Sequence, residues 1–186
     1  MESAEQRARF RRAFDAHFDA LNRYCLRRIP VDDVNDTVSE VFLVAWRKID
    51  KMPDEPHSLP WLYQVARHEI SNRWRSHRRL GALRARVGGL AVDSEPGPES
   101  IVVRNEQYGD LIDALWRLRP QDREILMLRS HEECDYDQIA VALNCSPEAA
   151  RKRFTRAVRR LRSEADVSGL PGSAWESDAA NIGEGR

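Results

Sequence analysis

The chain has 186 residues, with 30 Lys or Arg against 30 Asp or Glu; its formal net charge is zero, and 41% of it is hydrophobic and 32% charged. That length suits one ordinary domain or two small ones, and the composition argues against a disordered or fibrous chain. No run of about 18 apolar residues occurs and the opening MESAEQRARFRRAF has no secretory core, so no membrane span is expected and a cytoplasmic location is.

In chain order, Phe10, Phe14, His17, Phe18 and Leu21 recur at three and four, which predicts an amphipathic helix. A second helix is expected from Asp32 or Asp33, whose carboxylates suit a helix N-terminus, to about Ile49. Val34, Val38, Val41, Phe42, Ala45 and Ile49 make its core face. The opposite face carries Asp36, Ser39, Glu40, Leu43 and Arg47. Leu43 among those charges is either one of the single exposed leucines common on protein surfaces or, with Trp46 at its flank, the centre of a docking patch.

KMPDEPHSLP, with three prolines, reads as a loop from Lys51 to Pro60, and a third helix is expected from Trp61 to Arg79. Leu62, Val65, Ala66, Ile70 and Trp74 form its apolar stripe. Its outer face is expected to show Trp61, Gln64, His68, Ser71, Asn72 and Arg75, with Arg67, Arg78 and Arg79 at the edges. Cations beside an aromatic and amides suit nucleic acid; a solvated helix pairing with acids elsewhere is the competing reading. VGGLAVDSEPGPES then reads as linker.

Beyond it, Leu111, Ala114, Leu115 and Leu118 mark a short helix stopped near Pro120, and Asp122 to Arg129 turns Ile125, Leu126 and Leu128 inward. Asp135 with Gln138 forms a capping-box variant, opening a helix whose Tyr136, Ile139, Ala140 and Leu143 face inward. Asn144 tolerates the left-handed turn that follows, and Ser146 and Pro147 start a last helix running to about Arg162. This is a helix-turn-helix layout, with Ala140, Asn144 and Ala150 at the small, turn and core positions. Ala150, Phe154, Ala157, Val158 and Leu161 share one side of the last helix; Glu148, Arg151, Lys152, Thr155, Arg156 and Arg159 share the other. Such a face fits the major groove, and Thr155 and Glu148 among the cations favour base reading over phosphate contact alone.

Charge follows the same division. Residues 61 to 86 carry seven Lys or Arg and one acid, as do residues 146 to 163, while the stretches around them are net acidic. Two basic segments in an otherwise acidic chain point to two contacts with a polyanion. Cys25, Cys134 and Cys145 have no C-x-x-C spacing, and a zinc site from Cys134, Cys145 and His131 matches no usual ligand pattern. No cofactor, metal or catalytic residue is expected.

Taken together, DDVNDTVSEVFLVAWRKI, WLYQVARHEISNRWRSHRR and LRPQDREILMLRSHEECDYDQIAVALNCSPEAARKRFTRAVRRLR, in that order, resemble a bacterial RNA polymerase sigma factor of the extracytoplasmic-function (ECF) type. The resemblance covers residues from about 10 to 163. Asn144 in place of the usual turn Gly and Ala150 in place of a branched core residue depart from the family pattern.

The resemblance implies an all-α fold of two small domains: residues 1–86, a flexible acidic linker 87–110, a helix-turn-helix domain 111–164 and a tail 165–186. It implies that Asp36, Ser39, Glu40, Leu43 and Arg47 dock on a coiled coil of the largest subunit of core polymerase. The helix from Trp61, with the proline loop before it, would open the minus-ten element and capture an extruded base of the nontemplate strand. The last helix would read the minus-35 element as duplex promoter DNA. The linker would thread toward basic channels of the polymerase or serve as an inert spacer, and an anti-sigma factor is a further candidate partner. The rival is a homodimeric helix-turn-helix regulator, which needs a dimer surface and a palindromic site.

Overall fold

A computed structural model of the chain describes residues 3–86 and 109–164. Every regular element among them is helical. The chain divides into two compact units, Met1–Val103 and Arg104–Arg186, each with its own core. Most of the expected linker, 87–108, and the tail from 165 lie outside the described residues. Gly109 and Asp110, expected to close the linker, instead open a helix.

The first unit contains α1 (Ala4–Leu26), α2 (Val31–Arg47), a 3-10 turn (Ile49–Lys51) and α3 (Ser58–Arg86). A reciprocal cap starts α1. Ser3 Oγ accepts from the Gln6 amide at 3.1 Å, and Gln6 Oε1 accepts from the Ser3 amide at 3.0 Å, an arrangement whose cap residue alone contributes about 1 kcal/mol. α2 begins at Val31 behind Pro30, slightly ahead of the expected start, which places Asp32 and Asp33 inside its first turn, where the helix dipole favours them. α3 begins three residues before the expected Trp61. Pro60 sits in its first turn, where a missing N–H forfeits no intrahelical bond. The helix also runs past Arg79 to Arg86.

The expected core face of α2 is buried in full: Val34, Val38, Val41, Phe42 and Ala45, with Ile49 just beyond. α2 packs on both α1 and α3, where Leu62, Tyr63, Val65, Ala66 and Ile70 of α3 and Ala13, Leu21, Tyr24 and Cys25 of α1 are buried. Tyr24 and Tyr63 stack with centroids 4.6 Å apart, and the Arg28 guanidinium lies 3.5 Å from the Tyr24 centroid. Trp74, expected in the stripe of α3, is only half-buried.

The expected amphipathic pattern of α1 is not buried along its whole length: Phe14 and Phe18 are each 37% exposed. α1 carries two apolar stripes about 100° apart, and only the one through Ala13, His17, Leu21 and Tyr24 reaches the core.

The second unit contains α4 (Gly109–Arg117), α5 (Pro120–Ser130), α6 (Tyr136–Leu143) and α7 (Pro147–Glu164). Asp135 and Gln138 form the expected capping box at α6. Asn144 ends α6 with φ 51° and ψ 57°, in the left-handed region, and Ser146 Oγ then accepts from the Ala149 amide at 3.1 Å to cap α7. Ile125, Leu126 and Leu128 of α5 and Ile139 and Ala140 of α6 are buried as expected, whereas Tyr136 and Leu143 are half-buried. Against them α7 packs Ala150, Phe154, Ala157, Val158 and Leu161, all five buried. Among the described residues no helix is long and apolar enough to cross a membrane, and no cluster of three metal-ligating side chains occurs.

Candidate functional site

Because α7 buries its apolar stripe, its other side is presented as one surface. Glu148, Arg151, Lys152, Arg156 and Arg159 are exposed there, and Thr155 is half-buried. These side chains are partly held in place. The Arg151 guanidinium lies 4.8 Å from the centroid of the Tyr136 ring on α6, a cation–π contact. Thr155 Oγ1 donates to the Arg151 carbonyl at 3.1 Å, and Arg156 Nε donates to the Lys152 carbonyl at 3.3 Å. Lys152 Nζ donates to Glu148 Oε1 at 2.6 Å. That hydrogen bond, together with the ammonium charge, holds the Glu148 carboxyl below its ordinary value. Arg160, outside the expected set, pairs with Asp122 of α5 and ties the flank of the surface down.

On α3 the outward face is narrower than expected. His68, Ser71, Asn72, Arg75, Arg78 and Arg79 are exposed, whereas Gln64 and Arg67 are half-buried. Trp61 is corrected: it is half-buried and packs against the cluster of Ala13, Ile49 and Met52. Ile49 of the 3-10 turn, Met52 just after it and Ala13 of α1 give its ring an apolar bed that the spacing along α3 does not encode. Arg75 donates to the Asn72 side-chain oxygen, so an amide and a cation present one joint polar surface. The reading in which these arginines pair with acids applies to Arg73, which is 2.7 Å from Asp33. No ion pair forms at Arg75, Arg78 or Arg79 among the described residues.

On α2, Asp36, Ser39, Glu40, Leu43 and Arg47 are all exposed, Leu43 by 40%. Leu43 is not isolated. It lines a groove of about 720 Å³ with Phe10, Phe14, Phe42 and Trp46, flanked by Arg7, Arg11, Asp15 and Ser39. The rings form a contiguous apolar surface, Phe14 to Phe42 at 4.7 Å and Phe10 to Trp46 at 5.2 Å. In the sequence Phe10 and Phe14 mark only an amphipathic helix, so the α1 wall of the groove is absent from the expected docking residues. The available signal was the excess of apolar arc on α1, wider than one core contact needs.

The family model described as Sigma-70 region 2 matches residues 13–80, and that described as Sigma-70 region 4 matches residues 108–161. The RNA polymerase sigma factor CnrH of Cupriavidus metallidurans is 30% identical over 149 residues, 75% of this chain and 76% of that protein. The probable RNA polymerase sigma factor RfaY of Xanthomonas campestris pv. campestris is 31% identical over 132 residues; the match takes in 69% of this chain but only 33% of that longer protein. Among solved structures, the sigma factor RpoE from Bartonella quintana, in complex with the anti-sigma factor NepR, aligns with a TM-score of 0.63 at 22% identity, covering 86% of this chain and 98% of that one.

Proposed function

Since the chain belongs to the RNA polymerase sigma factors of the extracytoplasmic-function type, and directs the polymerase to promoters as that family does, we propose that its three surfaces divide the work of initiation. In this division α7 reads the minus-35 element as duplex through Glu148, Arg151, Lys152, Thr155, Arg156 and Arg159. The face of α3 with Gln64, Arg67, His68, Ser71, Asn72, Arg75, Arg78 and Arg79, together with segment 50–60, takes the minus-ten element and stabilises it open. Trp61 serves there as the packed base of that surface. Asp36, Ser39, Glu40, Leu43 and Arg47, beside the aromatic groove, dock on the largest-subunit coiled coil of core polymerase.

The observation that most supports this division is the separation of faces on α7. Five apolar side chains are buried on one side while cations and hydrogen-bonding groups stand opposite, as a helix lying in the major groove requires. Strand opening then draws on binding energy: an unpaired base that stacks and hydrogen-bonds offsets the few kcal/mol lost on unstacking, about what base-flipping proteins supply. No catalytic residue or cofactor is invoked. The homodimeric regulator is the weaker reading, because two sigma regions match in chain order where it would need only the helix-turn-helix. The solved complex of RpoE with NepR supports an anti-sigma factor as a further partner.

Footprinting of core polymerase plus the full chain on promoter fragments tests the division. Arg151→Ala should lose upstream protection first, and Arg75→Ala should lose permanganate reactivity at the start-proximal element while upstream protection persists. Equal loss at both elements in both variants would contradict it.

A further inference from the structure

The stripe of α1 that reaches the core through Leu21 and Tyr24 continues toward the helix N-terminus as a largely polar line. Gln6, Arg9, Ala13 and His17 stand at i, i+3, i+7 and i+11, a single stripe along the helix. Each touches the segment from Ile49 to Ser58, and the three polar residues do so in the same order along it. Gln6 Nε2 donates to both carboxylate oxygens of Asp50, at 3.1 and 3.3 Å. Arg9 donates to Asp54 at 2.9 Å and to the Met52 carbonyl. Ala13 packs with Ile49 and Met52. His17 Nε2 lies 2.7 Å from Glu55 Oε1 and 2.8 Å from Ser58 Oγ, while the Ser58 hydroxyl donates to the same Glu55 oxygen.

The constellation of His17, Ser58 and Glu55 contains the residue types of a hydrolytic triad but not its geometry. Serine and carboxylate both meet the same ring nitrogen, so the imidazole cannot pass a proton from one to the other across its two nitrogens. It is a lock. His17 is 7% exposed and Ser58 3%, which shields the contact between them from water.

The charges give the lock a second consequence. Asp50, Asp54 and Glu55 are the acids of this segment, and each is held by α1. A segment that must approach a nucleic-acid strand is hindered by three free carboxylates. Here each is engaged by a donor on the helix behind it. The Asp54 and Glu55 side chains are 93% and 64% exposed, and pairs so open to water add little to stability. Their effect is to fix the shape of the segment.

We propose that Gln6, Arg9 and His17 are positioning residues for promoter opening: a polar rail on α1 that presets segment 50–58 to receive an unpaired base and turns its acids away from the strand. The inference rests on the reading above, in which that segment and the head of α3 take the nontemplate strand. None of the three residues touches DNA itself.

The test uses core polymerase with the full chain and a single-stranded minus-ten oligonucleotide, measured against the same strand with each base replaced in turn. Wild type should prefer one base strongly at one position. His17→Ala and Arg9→Ala should each shrink that preference about tenfold, as loss of preorganisation does, with affinity for core polymerase and helicity unchanged. His17→Gln, which keeps a donor, should recover part of it. If either alanine variant keeps the full preference, or loses affinity equally for every oligonucleotide, the rail is structural only and the inference fails. If wild type shows no base preference, the assignment of the segment to the strand fails instead, and the inference with it.

Discussion

The Arg151 guanidinium rests 4.8 Å from the centre of the Tyr136 ring, and the same ring meets Phe154 edge-on at 6.0 Å. One tyrosine on α6 therefore links the buried side of α7 to a cation on its exposed side. Arg151→Ala should lower discrimination between a matched minus-35 duplex and a scrambled one by about 1 to 3 kcal/mol, the range for a lost bidentate base contact. Tyr136→Leu keeps apolar bulk but frees the guanidinium, and should lower the same ratio by a smaller factor. Competition anisotropy with the two duplexes measures both; equal losses on matched and scrambled DNA would reduce Arg151 to a phosphate contact.

Glu148 holds Lys152 in an exposed i, i+4 pair, which keeps one cation of the face engaged while the protein is free. Glu148→Gln should raise affinity for scrambled duplex at low salt and steepen the salt dependence by about one counterion. The carboxyl pKa lies below its unfolded value, so the pair's contribution to stability is present at neutral pH and is lost as pH falls through that lowered value. Titration of the Glu148 carboxyl by NMR should return to the ordinary range in Lys152→Ala.

Leu43 joins the α2 surface to the aromatic groove. Leu43→Asp places a carboxylate at the centre of the proposed docking face and should weaken core-polymerase binding by about 2 kcal/mol or more, as central interface positions do. Circular dichroism should stay that of wild type, since the side chain is 40% exposed and stands on the surface of α2 opposite its core face. Unchanged affinity in a binding titration would remove the assignment.

Asn144 is held at φ 51° between α6 and α7. Asn144→Val should lower unfolding stability by about 1 to 2 kcal/mol, because a β-branched side chain clashes in the left-handed region. Asn144→Gly should be tolerated there without that clash. Urea unfolding of both variants, followed by duplex affinity, separates the cost of the turn from any effect on DNA reading.

The second unit was the more legible of the two. Its helices are short, each with one apolar stripe, and its turn residues, Asp135, Asn144 and Ser146, act through contacts within a few residues. Periodicity captures such contacts directly. In the first unit, α1 carries two apolar stripes, and no local rule says which of them is the more deeply buried. Trp61 lies off the stripe of Leu62, Val65, Ala66 and Ile70 and so reads as outward, but Ala13, Ile49 and Met52 from other elements pack against it. The contacts of Gln6, Arg9 and His17 with segment 50–58 span about forty residues. They follow from how the elements pack, which spacing along the chain does not encode.

The most direct measurement is in vitro transcription by purified core polymerase, with and without the full chain, with the 5′ ends of the RNA mapped on genomic fragments. Transcripts should begin at a small set of positions when the chain is present, and Arg151→Ala should depress them selectively. Random or absent initiation despite intact core polymerase, together with no association between the two, would contradict the account.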